Sequence, residues 1–167
     1  MHAKYGVYAV MGNHDYGMIT SRENPPNDLM ASDIRAFLEG SGIRILRNEN
    51  VQAGNLTIIG LDDQWAGRRD ELAALSGNIS GYRILLSHNQ EGLAIGNGTA
   101  DLYLFGHTHC GQIRLPGVGS IPKLFGFKGQ YEMGRYRINE SDVYTTCGLG
   151  WGPRFLAPPE VTVIELN

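Results

Sequence analysis

The chemistry-bearing residues of this 167-residue chain gather in three short stretches. Gly12-Asn13-His14-Asp15, Ser87-His88-Asn89 and Gly106-His107-Thr108-His109 hold four of the five histidines, leaving only His2 elsewhere. Imidazole nitrogen combined with amide or carboxylate oxygen is a donor set that suits zinc, manganese or iron. Taken singly, each stretch has an ordinary reading. Gly, Asn and Asp favour turns, a histidine after a strand is commonly a core or edge residue, and alternate residues of any strand share a face. Their joint occurrence, each behind an apolar run, points to a metal site.

The runs that must position them are residues 5–10, 82–86 and 102–105, short and apolar as buried strands are. Open α/β sheets place ligands in the crevice beyond the carboxyl ends of their strands, so three such ends can converge on one centre. Glycine ahead of Asn13 and of His107 lets the backbone turn sharply there. Further strands are predicted at 43–46, 56–61, 143–147 and 161–166. Residues 27–40 place Met30, Ile34, Phe37 and Leu38 on one helical face, with Asn27 or Asp28 as the cap and Gly40 or Gly42 at the end. Residues 69–75 read as a short helix. The Gly/Pro-rich stretch 111–129 is too long for idle padding in a compact domain. The pattern predicts one α/β domain of layered sheets over residues 1–167.

With 42% hydrophobic and 19% charged residues, a net charge of −3 and a pI near 5.9, the chain reads as soluble and globular, without a nucleic-acid groove. No apolar run reaches the roughly 18 residues that span a bilayer, and no secretory signal is visible. Two cysteines, Cys110 and Cys147, are too few for a disulfide framework, so a reducing compartment is the expectation. Cys110 is read first as a small side chain in a glycine-sized slot, with a soft-metal thiolate beside His109 and a bond to Cys147 left open. Trp65 and Trp151 lie in loops rich in Gly and charge, where lining a cleft and packing are equal alternatives.

The order GNHD, SHN, GHTH resembles the calcineurin-like metallophosphoesterases. GHTHCGQIRLPG at 106–117, GLGWGPRFLAPPEVTVIEL at 148–166 and GLDD at 60–63 are similar to a bacterial phosphodiesterase branch of that family. The resemblance runs from residue 5 to residue 166. It implies a four-layer αββα sandwich around two divalent metal ions, Mn, Zn or Fe. By that resemblance Asn13, His88 and His107 bind one metal and His109 the other. His14 is then the catalytic histidine that protonates the leaving oxygen, with Asp15 orienting its ring. Asp63, Cys110 and Trp151 become candidates for contacting substrate or supporting the ligands. The implied substrate is a small-molecule phosphate ester or a lipid-linked phosphate, and the acidic pI argues against nucleic acid.

One departure matters. The family pattern opens with Asp-x-His and then Gly-Asp, and neither precedes GNHD here. His109 is then the sole remaining ligand of its metal, and the bridging aspartate is missing. The expectation is an N-terminally truncated phosphodiesterase or phosphatase, impaired alone, lacking the first strands of a sheet and, in this branch, an N-terminal membrane anchor. Its expected location is the cytoplasm, or a membrane surface reached through that anchor. Unpaired sheet edges would favour self-association. The alternative is a non-catalytic remnant, or a module that binds a single metal and acts through association.

Overall fold

The computed structural model describes residues 3–19, 25–66, 68–95, 98–124, 130–150 and 152–166. The chain forms β1 (Tyr8–Ala9), a 3-10 turn at Asn13–Tyr16, α1 (Asp28–Gly40), β2 (Arg44–Ile45), β3 (Glu49–Ala53), β4 (Leu56–Gly60), α2 (Glu71–Ala74) and β5 (Tyr82–Ser87). A 3-10 turn at Gln90–Ile95 then leads to β6 (Leu102–Phe105) and another at His109–Gly111. The remainder is β7 (Arg114–Leu115), β8 (Gly119–Ser120), α3 (Ile121–Leu124), β9 (Gly134–Ile138) and β10 (Ser141–Thr145). The architecture is α/β, with a mixed central sheet and few helices.

Among the described residues the central sheet has six strands in the order β3-β4-β5-β6-β10-β9. Its inner four, β4, β5, β6 and β10, run parallel. Their carboxyl ends therefore lie along one edge of the sheet. The outer two, β3 and β9, pair antiparallel and carry Glu49, Arg135 and Arg137, charges that discourage further pairing. β1 and β2 form a separate parallel pair, and β7 and β8 an antiparallel one.

Alternation divides the sheet into two faces. Ile59, Leu61, Leu85, Tyr103, Phe105 and Val143 point one way and are buried with Ala74 of α2. Ile58, Ile84, Leu86 and Leu104 point the other way and are only half-buried. Part of that second face meets the β1–β2 pair. A Cβ at Gly60 would fall 2.2 Å from Leu46 Cβ and 3.1 Å from Val10 Cγ1, so the pair approaches β4 only because residue 60 has no side chain. Beyond the pair lies a second core of Met11, Tyr16, Met18, Ala31, Ile45 and Ala66, covered by α1.

Both predicted helices form, and both are capped as their sequences suggest. Asn27 Oδ1 accepts from Met30 N–H at 3.0 Å, and Asp70 Oδ1 accepts from Ala73 N–H at 3.0 Å. The buried stripe of α1 differs from the expected one. Ala31, Ile34 and Leu38 face the core, while Phe37 is 74% exposed. The period was right and the phase was off by part of a turn. The first run yields only a two-residue strand, and β3 and β9 were not anticipated. The predicted loop 111–129 contains the β7–β8 hairpin and α3 in its described part. The strand expected at 161–166 does not form: Val161 and Val163 are 78% and 85% exposed, without a ladder partner among the described residues. Among the described residues, no helix is long and apolar enough to cross a membrane.

Leu85 is completely buried on β5, so Leu85→Ala is expected to lower the unfolding free energy in urea by about 2–5 kcal/mol. Phe37→Ala is expected to stay within about 0.5 kcal/mol of the parent. Equal losses would place the core elsewhere.

Candidate metal centre

Two neighbouring parallel strands deliver the first histidines. Ser87 of β5 pairs with Phe105 of β6, so His88 and Gly106-His107 leave the sheet side by side. Gly106 N–H donates to His88 O at 3.2 Å, which keeps the two exits together. His107 then adopts a left-handed backbone at φ 65°.

Asn13 arrives from the other sheet pair, on the 3-10 turn after β1. It is 1% exposed, and its Nδ2 donates to Met18 O at 2.6 Å. That bond turns Oδ1 towards His88, whose Nε2 lies 2.9 Å away. The same Nε2 is 3.0 Å from His107 Nδ1. Gly12 makes this approach feasible, because a Cβ there would lie 2.8 Å from His88 Nδ1.

Hydrogen bonds satisfy the triad poorly. Nε2 of His88 carries at most one proton, and it faces an amide oxygen and a second ring nitrogen. If Nε2 carries the proton, it must share that proton between the Asn13 oxygen and a His107 lone pair in a weak three-centre bond, or meet a His107 N–H hydrogen to hydrogen. If it accepts from His107, its lone pair opposes the Asn13 oxygen. A cation resolves the conflict, since all three atoms can then present lone pairs to it. Donors about 2.1 Å from a metal and at right angles stand about 3 Å apart, which is the spacing seen here.

Electrostatics agree. Burial pushes the His88 imidazole down from 6.5 to about 3, helped by His107, His109 and His14 nearby. Burial likewise lowers His107, and it lowers His109 with the Arg154 guanidinium assisting. The three rings therefore stay neutral, the form that binds metal. His109 has its ring against the backbone of Gly150, where a Cβ would fall 2.9 Å from Cε1.

The adjacent residues of the first motif point differently. His14 is exposed whereas Asn13 is buried. Asp15, expected to orient the His14 ring, has Oδ2 on the Gly12 amide at 2.7 Å and so closes the turn. Asp63 is 0% exposed, which keeps it from touching substrate. Its Oδ1 accepts from Ala66 N–H at 2.8 Å, and burial raises its pKa. It thereby shapes the loop whose Trp65 packs edge-on against His107, ring centroids 4.4 Å apart. Asp62 is engaged by Tyr16 and Arg47 at 2.6 and 2.8 Å. Trp151 lies outside the described residues.

Cys110 corrects the sequence reading. It does not merely fill a small slot but forms a disulfide with Cys147. Both sulfurs lie near a Glu160 carboxylate oxygen, yet bonded to each other neither is a thiolate able to hold a soft metal. Gly12, expected to turn the backbone, and Trp65, expected to line a cleft or to pack, are also neighbours of the histidine rings, as is Gly150. The glycines of the GNHD and GLG stretches were the available signal.

No protein-family model matches the chain, and no solved structure does. Curated proteins do. The chain is 32% identical to the phosphodiesterase YaeI of Escherichia coli, over 96% of this chain and 58% of that protein. It is 30% identical to the metallophosphoesterase YkuE of Bacillus subtilis, over 100% of this chain and 58% of YkuE. It is 27% identical to the UDP-2,3-diacylglucosamine pyrophosphatase LpxG of Chlamydia trachomatis, over 99% and 65%. The chain thus spans about three fifths of the length of these three relatives.

Gly12→Ala is expected to displace the His88 ring and weaken Mn2+ binding, measured calorimetrically, by at least about tenfold with the sheet intact. An unchanged affinity would mean that His88 is not seated by Gly12. A second expectation concerns acid. The folded pKa of His88 is depressed to about 3 from 6.5, so its full contribution to stability is present above about 6.5. As pH falls from there towards about 3, the unfolded chain takes up a proton that the folded one refuses, and metal-free protein loses stability. Denaturant titrations across that window should show the loss, and His88→Gln should reduce it, leaving the part due to His107 and His109.

Proposed function

We propose that this chain, related along nearly its whole length to the bacterial metallophosphoesterases, forms the metal-binding half of a phosphoric-ester hydrolase with two metals in its complete form. The observation that carries this is the meeting of Asn13 Oδ1, His88 Nε2 and His107 Nδ1 at 2.9 and 3.0 Å, with at most one Nε2 proton to share between the two contacts. These three would hold one divalent cation, and His109 would reach a second whose other ligands are not among this chain's motifs. Manganese, zinc and iron all suit the donors. The chemistry such cations supply is polarisation of a phosphoryl oxygen and a nucleophile near neutral pH.

The chain's own residues divide the remaining work. His14, exposed beside buried Asn13, is free to face substrate and give a proton to the leaving oxygen. Asp15 holds the turn that aims it. Trp65 limits the tilt of His107 and shields one side of the centre. The relatives' names support small phosphodiester or pyrophosphate substrates, including lipid-linked ones. A four-layer αββα sandwich fits the order of parts, with α2 on one face of the main sheet, β1–β2 on the other and α1 beyond. The half-buried apolar residues Ile58, Ile84, Leu86 and Leu104 suit a larger second sheet, or self-association in its absence.

The test uses metal binding and turnover together. Asn13→Ala is expected to weaken Mn2+ binding, and His14→Ala to leave it unchanged. Hydrolysis of bis-p-nitrophenyl phosphate should be very slow for this chain alone. In a protein with the full ligand set it should fall about 10²–10⁴-fold on His14→Ala. Loss of metal from His14→Ala as complete as from Asn13→Ala would refute the division of roles.

A further inference from the structure

His109 is followed directly by Cys110, and the loop against its ring begins at Cys147. The disulfide joins the two, Cα atoms 4.8 Å apart. Cys147 sits just past β10, which runs beside β6 with Thr145 opposite Phe105. From there residues 148–150 fold back until Gly150 touches the imidazole. Arg154 fastens this loop, donating through Nη2 to Cys147 O and Gly150 O, both at 3.0 Å, and through Nη1 to Ala157 O at 3.2 Å. The ring of His109 is thus enclosed by two segments, and the covalent bond fixes the distance between them.

Among the described residues, little apolar packing holds that region. The buried cluster around the bond is only Cys110, Cys147 and Ala157, with Met133 at its margin, against eight buried residues in the main core. The segment also carries strain. His107, His109, Cys110 and Gln112 all have left-handed backbones, with φ between 49° and 65°, a region that non-glycine residues avoid. A strained and thinly packed loop relaxes unless something over-determines it.

We propose that the Cys110–Cys147 disulfide is the positioning element of His109, setting that ring for its metal while leaving His88 and His107 to the parallel strands. Both cysteines are buried, 0% and 2% exposed, so the bond is sealed from solvent and serves geometry rather than exchange. The inference rests on the reading of His109 as a metal ligand.

The experiment follows the imidazole NMR signals of His88, His107 and His109 during titration of the chain with Co2+ alone. Cys110→Ala/Cys147→Ala is the comparison, free of thiols that would bind cobalt themselves. The expected result in the parent is a saturable paramagnetic shift of the His88 and His107 rings, with His109 shifted at the same midpoint through its distance from that cobalt. In the variant, the size of the His109 shift at saturation changes at least about twofold, while the midpoints of His88 and His107 move no more than about threefold. If that variant loses the parent's amide spectrum, Cys110→Gly/Cys147→Ser carries the test, glycine being suited to φ 55°. An unchanged His109 shift overturns the proposal. So does a tenfold rise of the His88 and His107 midpoints, which would mean general loosening, and so does a parent in which His109 alone fails to respond. A parent in which no ring responds removes the metal site itself, and this inference with it.

Discussion

Everything near the centre depends on one nitrogen with too many neighbours. His88 Nε2 is held between Asn13 Oδ1 and His107 Nδ1, which come from different parts of the fold. An unsatisfied buried polar group costs about 1–3 kcal/mol, so the cluster would drift apart if its members were free to move. None is. The amide of Asn13 is tied to Met18 O, and His88 is pressed against Gly12. The exits of β5 and β6 are joined by the Gly106 amide. The fully buried face of the main sheet, with Ile59, Leu85 and Val143, supplies the stability that offsets the conflict.

The same division between a stable scaffold and a strained rim runs through the His107–Gln112 segment. Left-handed non-glycine residues cost about 1–3 kcal/mol each, and four occur within six residues. Their partners are local and specific. Thr108 Oγ1 accepts from Cys110 N–H and donates to Glu132 O, and Arg114 pairs with the Glu132 carboxylate while donating to Cys110 O. Polar anchoring and one covalent bond take the place that apolar packing has in the main core. Such a rim lets His107 and His109, two residues apart, aim at separate positions, which regular β structure would not permit with a free choice of angle.

What could be read beforehand follows from where the determining physics lies. β5 and β6 were legible because LYLF and YRILL are apolar runs with few other uses, and α1 because Asn27 caps it. β3 and β9 were not, since ENVQA and GRYRI are polar edge strands defined by the neighbour they pair with. Residues 161–166 failed in the opposite sense: the apolar sequence is there, but a strand needs a partner and the described chain offers none. The histidine motifs announced their chemistry through residue type and order. The disulfide did not, because cysteines 37 residues apart meet only through the β6–β10 register. Asp63 looked available in GLDD, and its complete burial is a consequence of how that loop folds under Trp65.

Burial also separates the histidines of the three motifs. Desolvation opposes protonation of His88, His107 and His109, and so keeps them in the neutral form that the proposed ligand role requires. His14, the proposed donor, differs from them in its exposure, which it owes to a single backbone step. In the 3-10 turn Asn13 is drawn inwards by Met18, and its successor is directed out of the core. The turn is closed at the Gly12 amide by Asp15, so the carboxylate acts on the backbone that sets both directions at once. A change at Asp15 would therefore disturb Asn13 as much as His14, and a role confined to the imidazole would not.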